Sequence, residues 1–484
     1  MMFNSIEFLI FLPVTFVVYW LLGRRMRWQN LFVVVASYLF YGWWDWRFLL
    51  LIAFTTLCSY ASGIAISHPT AQQRNRGLTS KFFLWANIVL NLLILCTFKY
   101  YDFFAQSFAD AFLGGKTDHL LLHLVLPVGI SFYTFQALSY SIDVYRGTIK
   151  PTRDVVAFFA YVSFFPQLVA GPIERATSLL PQFEQSRQFD YRQCVDGLRQ
   201  MLWGFFKKMV VADSCALYVD QIFAHPDWFN SSTLLLAAVL FSIQIYGDFS
   251  GYSDIAIGCA KLFGIQLRRN FNVPYFSRDI AEFWRRWHIS LTTWFRDYIY
   301  IPLGGSRVSK GRIVLNTFVI FLVSGLWHGA NWTFVAWGAY HALLFLPLIL
   351  LGKNRRYTDT VAIGRALPSL RELGQMLLTF LLAVMGWVLF RADSIEQAFH
   401  YYGLMFGKLS DFGAPTITAP IDAWAIAVAV TLMTVVEWLN RGEHHEFCRQ
   451  PRLRVVRWAG YVVVIFLIGA FMVTNEMPFI YFQF

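Results

Sequence analysis

Charged residues are scarce in this sequence. Only 14% of its 484 residues are Asp, Glu, Lys or Arg, whereas 57% are hydrophobic and the mean hydropathy is +0.49. Soluble domains carry about a quarter charged residues, so this shortage excludes a soluble protein. The net charge of +11 therefore does not indicate nucleic acid binding. The composition predicts an all-α, polytopic protein of the lipid bilayer.

Metal-binding and redox cysteine motifs are also missing. No CxxC pair or ligand spacing occurs, so we expect buried apolar cysteines rather than disulfides or metal ligands, and no metal. The six are Cys58, Cys96, Cys194, Cys215, Cys259 and Cys448. Low-complexity linkers and fixed-period repeats are absent too. This predicts one membrane domain over residues 1–484 and argues against an inverted-repeat transporter.

Long apolar runs, in contrast, recur along the whole chain. They lie at residues 6–22, 31–44, 48–66, 82–98, 120–142, 234–246, 313–329, 333–351, 376–390, 423–439 and 459–473. They predict roughly ten to twelve membrane-spanning helices, of which the shorter ones must be tilted or buried. The first run follows no basic region and has no cleavage site, so we expect a retained helix with the N-terminus outside.

Basic residues fall in alternate loops between these runs. The first loops carry Arg24, Arg25, Arg27, then Arg74, Arg76, Lys81, then Arg146, Lys150, Arg153. Later clusters lie at 268–312, 353–371 and 441–457, and the first of these holds nine Arg or Lys. The positive-inside rule predicts that all of these loops are cytoplasmic.

Two segments predict helices that do not span the bilayer. Residues 161–181 contain Pro166, Pro172 and Pro181, which favours a re-entrant segment, although an ordinary short span remains open. Residues 196–211 predict an interfacial amphipathic helix that ends in Lys207 and Lys208.

Aromatic residues recur at steps of three and four between residues 281 and 298. The spacing predicts one amphipathic helix at the cytoplasmic boundary, with its aromatic face toward the membrane and the guanidinium groups of Arg285 and Arg296 toward water or phosphate. His288 falls beside the apolar stripe. From the residues alone, a structural histidine bonded to a neighbouring carbonyl or carboxylate is favoured there.

His328 is the strongest candidate for a catalytic group. It ends the apolar run at 313–329, and an ionisable side chain inside a membrane is costly unless it is paired or lines a wet cavity. If the helix leaves the cytoplasmic surface near Arg312, the imidazole lies about 24 Å along a roughly 30 Å core. Ser324 is one turn earlier and Asn331 follows. A neutral imidazole could take the proton of an attacking hydroxyl, whereas a buried histidine that ties two helices together is the structural alternative.

The segment YGDFSGYSDIAIG at residues 246–258 places carboxylates within an apolar region. Buried carboxylates need partners, so Asp248 and Asp254 either line a polar pocket or pair with basic side chains. Residues predicted to line the pocket or bind the donor are Asp248, Tyr252, Ser253, Asp254, Arg285, Arg286, Trp287, Arg296, Ser324, Trp327 and Asn331.

These stretches together resemble the membrane-bound O-acyltransferase superfamily, in particular its bacterial alginate O-acetyltransferase branch. The resemblance covers most of the chain. The motifs that carry it are LVAGPIER at 168–175, QIYGDFSGYSDIAIG at 244–258, FWRRWHISLTTWFRDYIYIPLGG at 283–305, GLWHGANWTFVAWGAYHA at 325–342 and FIYFQF at 479–484.

The resemblance implies a multi-helix enzyme of the bacterial inner membrane with a tunnel through the bilayer. The two histidines of the family map onto His288 and His328, and the latter is the one regarded as catalytic. An acyl donor, acetyl-CoA, would enter from the cytoplasm, where the 268–312 cluster can attract its phosphates. The acetyl group would reach an exopolysaccharide such as alginate, directly or through periplasmic polysaccharide acetylation proteins.

Other functions stay open at this stage. A relative could transfer D-alanine from a carrier protein to teichoic acid, or acylate a lipid or protein. From a different class, a polysaccharide export channel or transporter would also be polytopic with buried polar groups. It would show flux without thioester cleavage, so CoA release by the purified protein separates a channel from an enzyme.

Overall fold

The computed structural model describes residues 1–66, 78–114, 120–169, 171–407, 413, 415, 423–445, 447–448, 451, 453–471 and 479–480. The described residues form helices and loops and contain no strand, so the predicted all-α polytopic fold is confirmed. In this part of the chain seven helices are long and apolar enough to cross a membrane, and the apolar helices Ile6–Leu21 and Ala423–Leu439 are shorter.

The chain divides into two compact units, Met1–Leu198 with Ala256–Arg268, and Arg199–Ile255 with Arg269–Phe484. The first nine helices are α1 (Ile6–Leu21), α2 (Met26–Gly42), α3 (Arg47–Ile66), α4 (Thr79–Leu95), α5 (Tyr101–Phe112), α6 (Ile130–Arg146), α7 (Val155–Ser163), α8 (Phe165–Leu168) and α9 (Ala176–Phe183). A π-helical turn, Cys96–Tyr100, joins α4 to α5. The basic residues Arg74 and Arg76 lie outside the described residues, and the orientation of the loops stays a prediction.

Helices α3, α4 and α6 of the first unit are tied together by one buried amide. Asn87 on α4 donates a hydrogen bond of 2.8 Å to the Ser141 hydroxyl on α6 and accepts one of 3.2 Å from the Ser59 hydroxyl on α3. Between apolar helices such bonds fix the partners, because lipid and apolar side chains offer no alternative.

The predicted run at 120–142 is only partly helical. Helix α6 begins at Ile130, after Pro127 and a left-handed Gly129 with φ of +76°. A Cβ at Gly129 would lie 2.6 Å from the carbonyl oxygen of Leu168. Apolar content alone therefore placed the start of this helix too early, because it does not register where the backbone turns.

The backbone is broken between residues 161 and 181, where the prolines lie. Helix α7 ends at Ser163, the single turn of α8 follows, and α9 begins at Ala176, whereas Ala170 lies outside the described residues. The carbonyl of Tyr161, freed by the break, accepts a 2.8 Å hydrogen bond from Gln167. Its re-entrant placement in the bilayer stays a prediction.

The remaining helices are α10 (Tyr191–Phe205), α11 (Asp213–Ala224), α12 (Ser231–Leu262), α13 (Ile280–Arg286), α14 (Ile289–Phe295), α15 (Lys310–His328), α16 (Trp332–Leu350), α17 (Leu370–Arg391), α18 (Ile395–Gly407), α19 (Ala423–Leu439) and α20 (Arg454–Phe471). π-helical turns follow α10 at Phe206–Ala212 and α14 at Arg296–Tyr300. None of the six cysteines forms a disulfide. Cys194, Cys215 and Cys259 are buried and Cys58 and Cys448 partly buried, whereas Cys96 is exposed, so the expected burial is wrong for Cys96.

Helices α15 and α16 form a hairpin whose backbones touch. A Cβ added at Gly325 would lie 2.2 Å from the carbonyl oxygen of Phe334, and one at Gly338 would lie 2.3 Å from that of Phe321. Since Cβ atoms do not approach backbone this closely, glycine at these two positions allows the helices to pack against each other.

The variant Gly338→Ala is therefore expected to lower the thermal stability and membrane abundance of the protein, because backbone rather than a flexible side chain must move. Gly374→Ala on α17 is the matched control, since nothing lies within 4 Å of its added Cβ. There alanine should stabilise the helix by up to about 1 kcal/mol. Equal melting temperatures for the two variants would contradict the close packing of the hairpin.

Candidate active site

His328 is the last residue of α15 and is buried, with 3% of its surface exposed. Its Nδ1 lies 2.6 Å from the carbonyl oxygen of Ser324, one turn earlier. A carbonyl oxygen can only accept, so Nδ1 donates, and in the neutral ring Nε2 must then carry the lone pair. The helix therefore sets the tautomer that a general base needs.

Aromatic rings surround His328. The ring centroids of Trp327 and Trp337 are each 5.0 Å from that of His328, and Phe390 on α17 is 5.5 Å away. Trp327 and Phe390 are almost fully buried and Trp337 completely so. Such walls exclude bulk water, which strengthens electrostatic interactions at the imidazole.

The structure corrects the single amphipathic helix predicted over residues 281–298. Helix α13 ends at Arg286, α14 begins at Ile289, and His288 between them has a left-handed φ of +44°. The aromatic residues Trp284 and Trp287 are buried in the protein and do not face the membrane. The aromatic spacing continues unchanged across the break, so the spacing alone could not show that the segment forms two helices.

The break places His288 close to His328, with ring centroids 6.4 Å apart. Its Nδ1 lies 3.0 Å from the side-chain oxygen of Asn270, which also accepts from the Ser290 hydroxyl at 2.9 Å. Nδ1 of His288 therefore donates as well. Burial, reinforced by the neighbouring His328, holds the pKa of His288 well below its usual range, so its ring is neutral near pH 7.

Ser253 joins this group through Asn270, whose amide nitrogen donates to its hydroxyl at 3.2 Å. Tyr252, the preceding residue, stacks on Phe479 with centroids 4.6 Å apart. Phe479 is one of the two described residues of the closing motif FIYFQF, and positions 481–484 of that motif lie outside the described residues.

The two carboxylates of the 246–258 segment are paired with lysines. Asp248 bonds Lys208 at 2.7 Å and accepts the backbone N–H of Ile480 at 2.7 Å. Asp254 pairs with Lys207 and accepts from Gln200 at 2.8 Å. Lys207 and Lys208 are therefore buried in the protein, at 1% and 4% exposure, and the interfacial placement of the 196–211 segment stays a prediction.

The two arginines of α13 form hydrogen bonds and ion pairs within the protein. Arg286 is buried and bonds Glu282 at 2.8 Å, and Arg285 donates to the carbonyl oxygens of Asn354 and Tyr357. The prediction that Arg285 faces water or phosphate is thus wrong. Arg296 is exposed, with 57% of its side chain accessible beside Asp297, and its contact with water or phosphate stays a prediction.

Asn331 caps α16, since its side-chain oxygen accepts the N–H of Thr333 at 3.0 Å. Its amide donates to the carbonyl of Asp393 at 2.8 Å. The structure thus gathers His288, His328, Trp327, the Ser324 carbonyl and, through Asn270, Ser253. It assigns the other predicted residues to pairing, capping or packing. No sequence pattern pointed to Asn270, and Trp337 and Phe390 are typical apolar residues of membrane spans.

Comparisons with known proteins give the family of the chain. Residues 151–378 match the model of the membrane-bound O-acyltransferase family, a stretch that contains both histidines. The chain is 41% identical over 424 residues to the probable alginate O-acetylase AlgI of Pseudomonas aeruginosa, which covers 86% of this chain and 78% of that protein.

The names of two further relatives refer to other polymers. Identity to the peptidoglycan O-acetyltransferase of Helicobacter pylori is 34% over 430 residues, or 82% of this chain and 78% of that one. Identity to the teichoic acid D-alanyltransferase of Bacillus subtilis is 25% over 339 residues, or 67% of this chain and 80% of the other. The chain belongs to the membrane-bound O-acyltransferase family.

Proposed function

We propose that this protein moves acetyl groups from acetyl-CoA toward an exopolysaccharide such as alginate, with His328 as the general base. The observation that carries the proposal is the 2.6 Å bond from Nδ1 of His328 to the Ser324 carbonyl, which sets the tautomer with its lone pair on Nε2, the atom that would take the hydroxyl proton. Similarity to alginate O-acetylases supports the polymer class.

The proposed reaction is a single displacement. As the acceptor hydroxyl attacks the thioester carbonyl, its proton passes to Nε2 of His328. The C–S bond then breaks, and the leaving thiolate takes that proton from the imidazolium. His288, whose Nδ1 is committed to Asn270, can accept a hydrogen bond through Nε2 and so orient the hydroxyl.

Exposed basic side chains would attract the phosphates of acetyl-CoA. Arg296, Arg307, Lys310 and Arg312 are exposed at or near the first turn of α15, the helix whose other end is His328. We place this end in the cytoplasm of a bacterial inner membrane, with the N-terminus outside. Periplasmic acetylation proteins would complete transfer to the polymer.

Purified protein in nanodiscs tests the proposal. With [¹⁴C]acetyl-CoA and an oligosaccharide acceptor we expect stoichiometric release of free CoA and labelled ester. Transfer of D-alanine from a carrier protein, without CoA release, would instead support the activity named for the Bacillus subtilis relative. Passage of polysaccharide without cleavage of any thioester would contradict both.

A further inference from the structure

A third histidine lies in the interior near His328. His341, on α16, has no exposed surface, and neither of its ring nitrogens has a hydrogen-bond partner among the residues that the structure describes. The indole N–H groups of Trp284 and Trp337 are likewise buried and unpartnered within the described chain. Buried polar atoms are rarely left unsatisfied, because each costs free energy.

These unsatisfied atoms form one cluster. The centroid of the His341 ring is 5.0 Å from the ring centroid of Trp284 and 5.0 Å from that of Trp337, and the two indole centroids are 5.5 Å apart. The ring centroid of Trp337 also lies 5.0 Å from that of His328. Four polar nitrogens in adjoining rings indicate a polar group that binds there.

The cluster lies on one side of His328. Trp284 packs on Phe321, with centroids 5.4 Å apart, and Gly338 of α16 lies against the Phe321 carbonyl. Phe321 precedes His328 by seven residues, or about 10 Å along α15. The cluster is therefore displaced from His328 toward the Lys310 end of α15, where the exposed cations lie.

The donor and acceptor set fits a secondary amide. Two indoles can only donate, whereas a neutral imidazole offers one N–H and one lone pair. An amide carbonyl accepts from the indoles, and an amide N–H donates to the imidazole. The thiol arm of an acyl-CoA carries such an amide a few bonds from its sulfur.

We propose that His341, Trp284 and Trp337 bind the amide of the acyl donor's thiol arm and so set donor specificity. This inference rests on the proposed function, since it assumes a thioester donor that approaches His328 from the Lys310 end. The three side chains position the donor without contact with the reacting carbon.

The test uses two small donors with the purified full-length protein in nanodiscs. S-acetyl-N-acetylcysteamine contains the amide, and in its oxygen analogue an ester replaces it and removes the N–H. We expect the wild type to favour the amide about tenfold in kcat/KM, mainly through KM. His341→Phe should lose most of this preference, because the imidazole is the acceptor of the amide N–H. Trp284→Phe should instead raise KM for both donors, because both contain the carbonyl to which the indole donates.

Trp203→Phe is the matched control, because Trp203 is a buried tryptophan that stacks on Phe206 and Phe447, and it should keep the preference. Trp284→Phe keeps an aromatic ring in place and removes the indole N–H, so its kinetics test the proposed site if His341→Phe fails to fold. An unchanged KM in Trp284→Phe, an unchanged preference in folded His341→Phe, or no preference in an active wild type would overturn the amide site. No thiol release from either donor or from acetyl-CoA would overturn the proposed function as well.

Discussion

His328→Ala is expected to reduce acetyl transfer by about 10²- to 10⁴-fold, the range for loss of a general base. The variant loses the imidazole whose tautomer the Ser324 carbonyl sets, while α15 itself retains its backbone bonds. Release of CoA and labelled ester by the purified protein measures the effect.

The control for this variant is His400→Ala. His400 is exposed and bonds Asp227 at 2.8 Å on the surface, so its removal should leave activity unchanged. Both variants should reach the membrane at wild-type abundance. Near-normal turnover by His328→Ala would refute the assignment of the base, whereas equal losses in both variants would indicate a general effect of histidine removal.

Lys208→Met is expected to destabilise the fold by about 3–5 kcal/mol, the cost of a buried ion pair that loses one partner. Lys208 lies 2.7 Å from both Asp213 and Asp248, and all three are buried. Without the lysine, two carboxylates face each other in a medium of low polarity. Melting of the detergent-solubilised protein and its membrane abundance measure the loss.

The same substitution at Lys261 is the control. Lys261 pairs with Asp196 at 2.6 Å, but the two side chains are 18% and 33% exposed, so the loss should stay below about 1 kcal/mol. Adding Asp248→Asn to Lys208→Met should recover part of the stability, because one uncompensated charge disappears. If Lys208→Met melts like Lys261→Met, the buried network is not a source of stability.

The sequence predicted those features that depend on composition and regular spacing. Continuous apolar runs gave most helices, and for α3 the structure agrees with the predicted start to within one residue. Apolar runs could not predict the start of α6 or the break at His288. Both depend on single residues with positive φ, in segments whose hydrophobicity continues unchanged.

The site was only partly predictable for a related reason. His288 and His328 are ionisable residues in apolar segments, so the sequence identifies them as candidate site residues. Asn270, which fixes the His288 ring, lies in a basic stretch with no periodicity, and its role depends on a contact across 18 residues. The burial of Lys207 and Lys208 could not be predicted, because a sequence pattern shows charge but not the carboxylates that face it.

The glycine contacts between α15 and α16 also bear on how substrates arrive. Because the backbones of α15 and α16 are in contact at two positions, we expect the two helices to move together as one rigid unit rather than to separate. Access to the imidazole at its tip then depends on rotation of indole and phenyl rings or on adjacent helices. Amide hydrogen exchange along the hairpin should accordingly stay slow even while turnover proceeds.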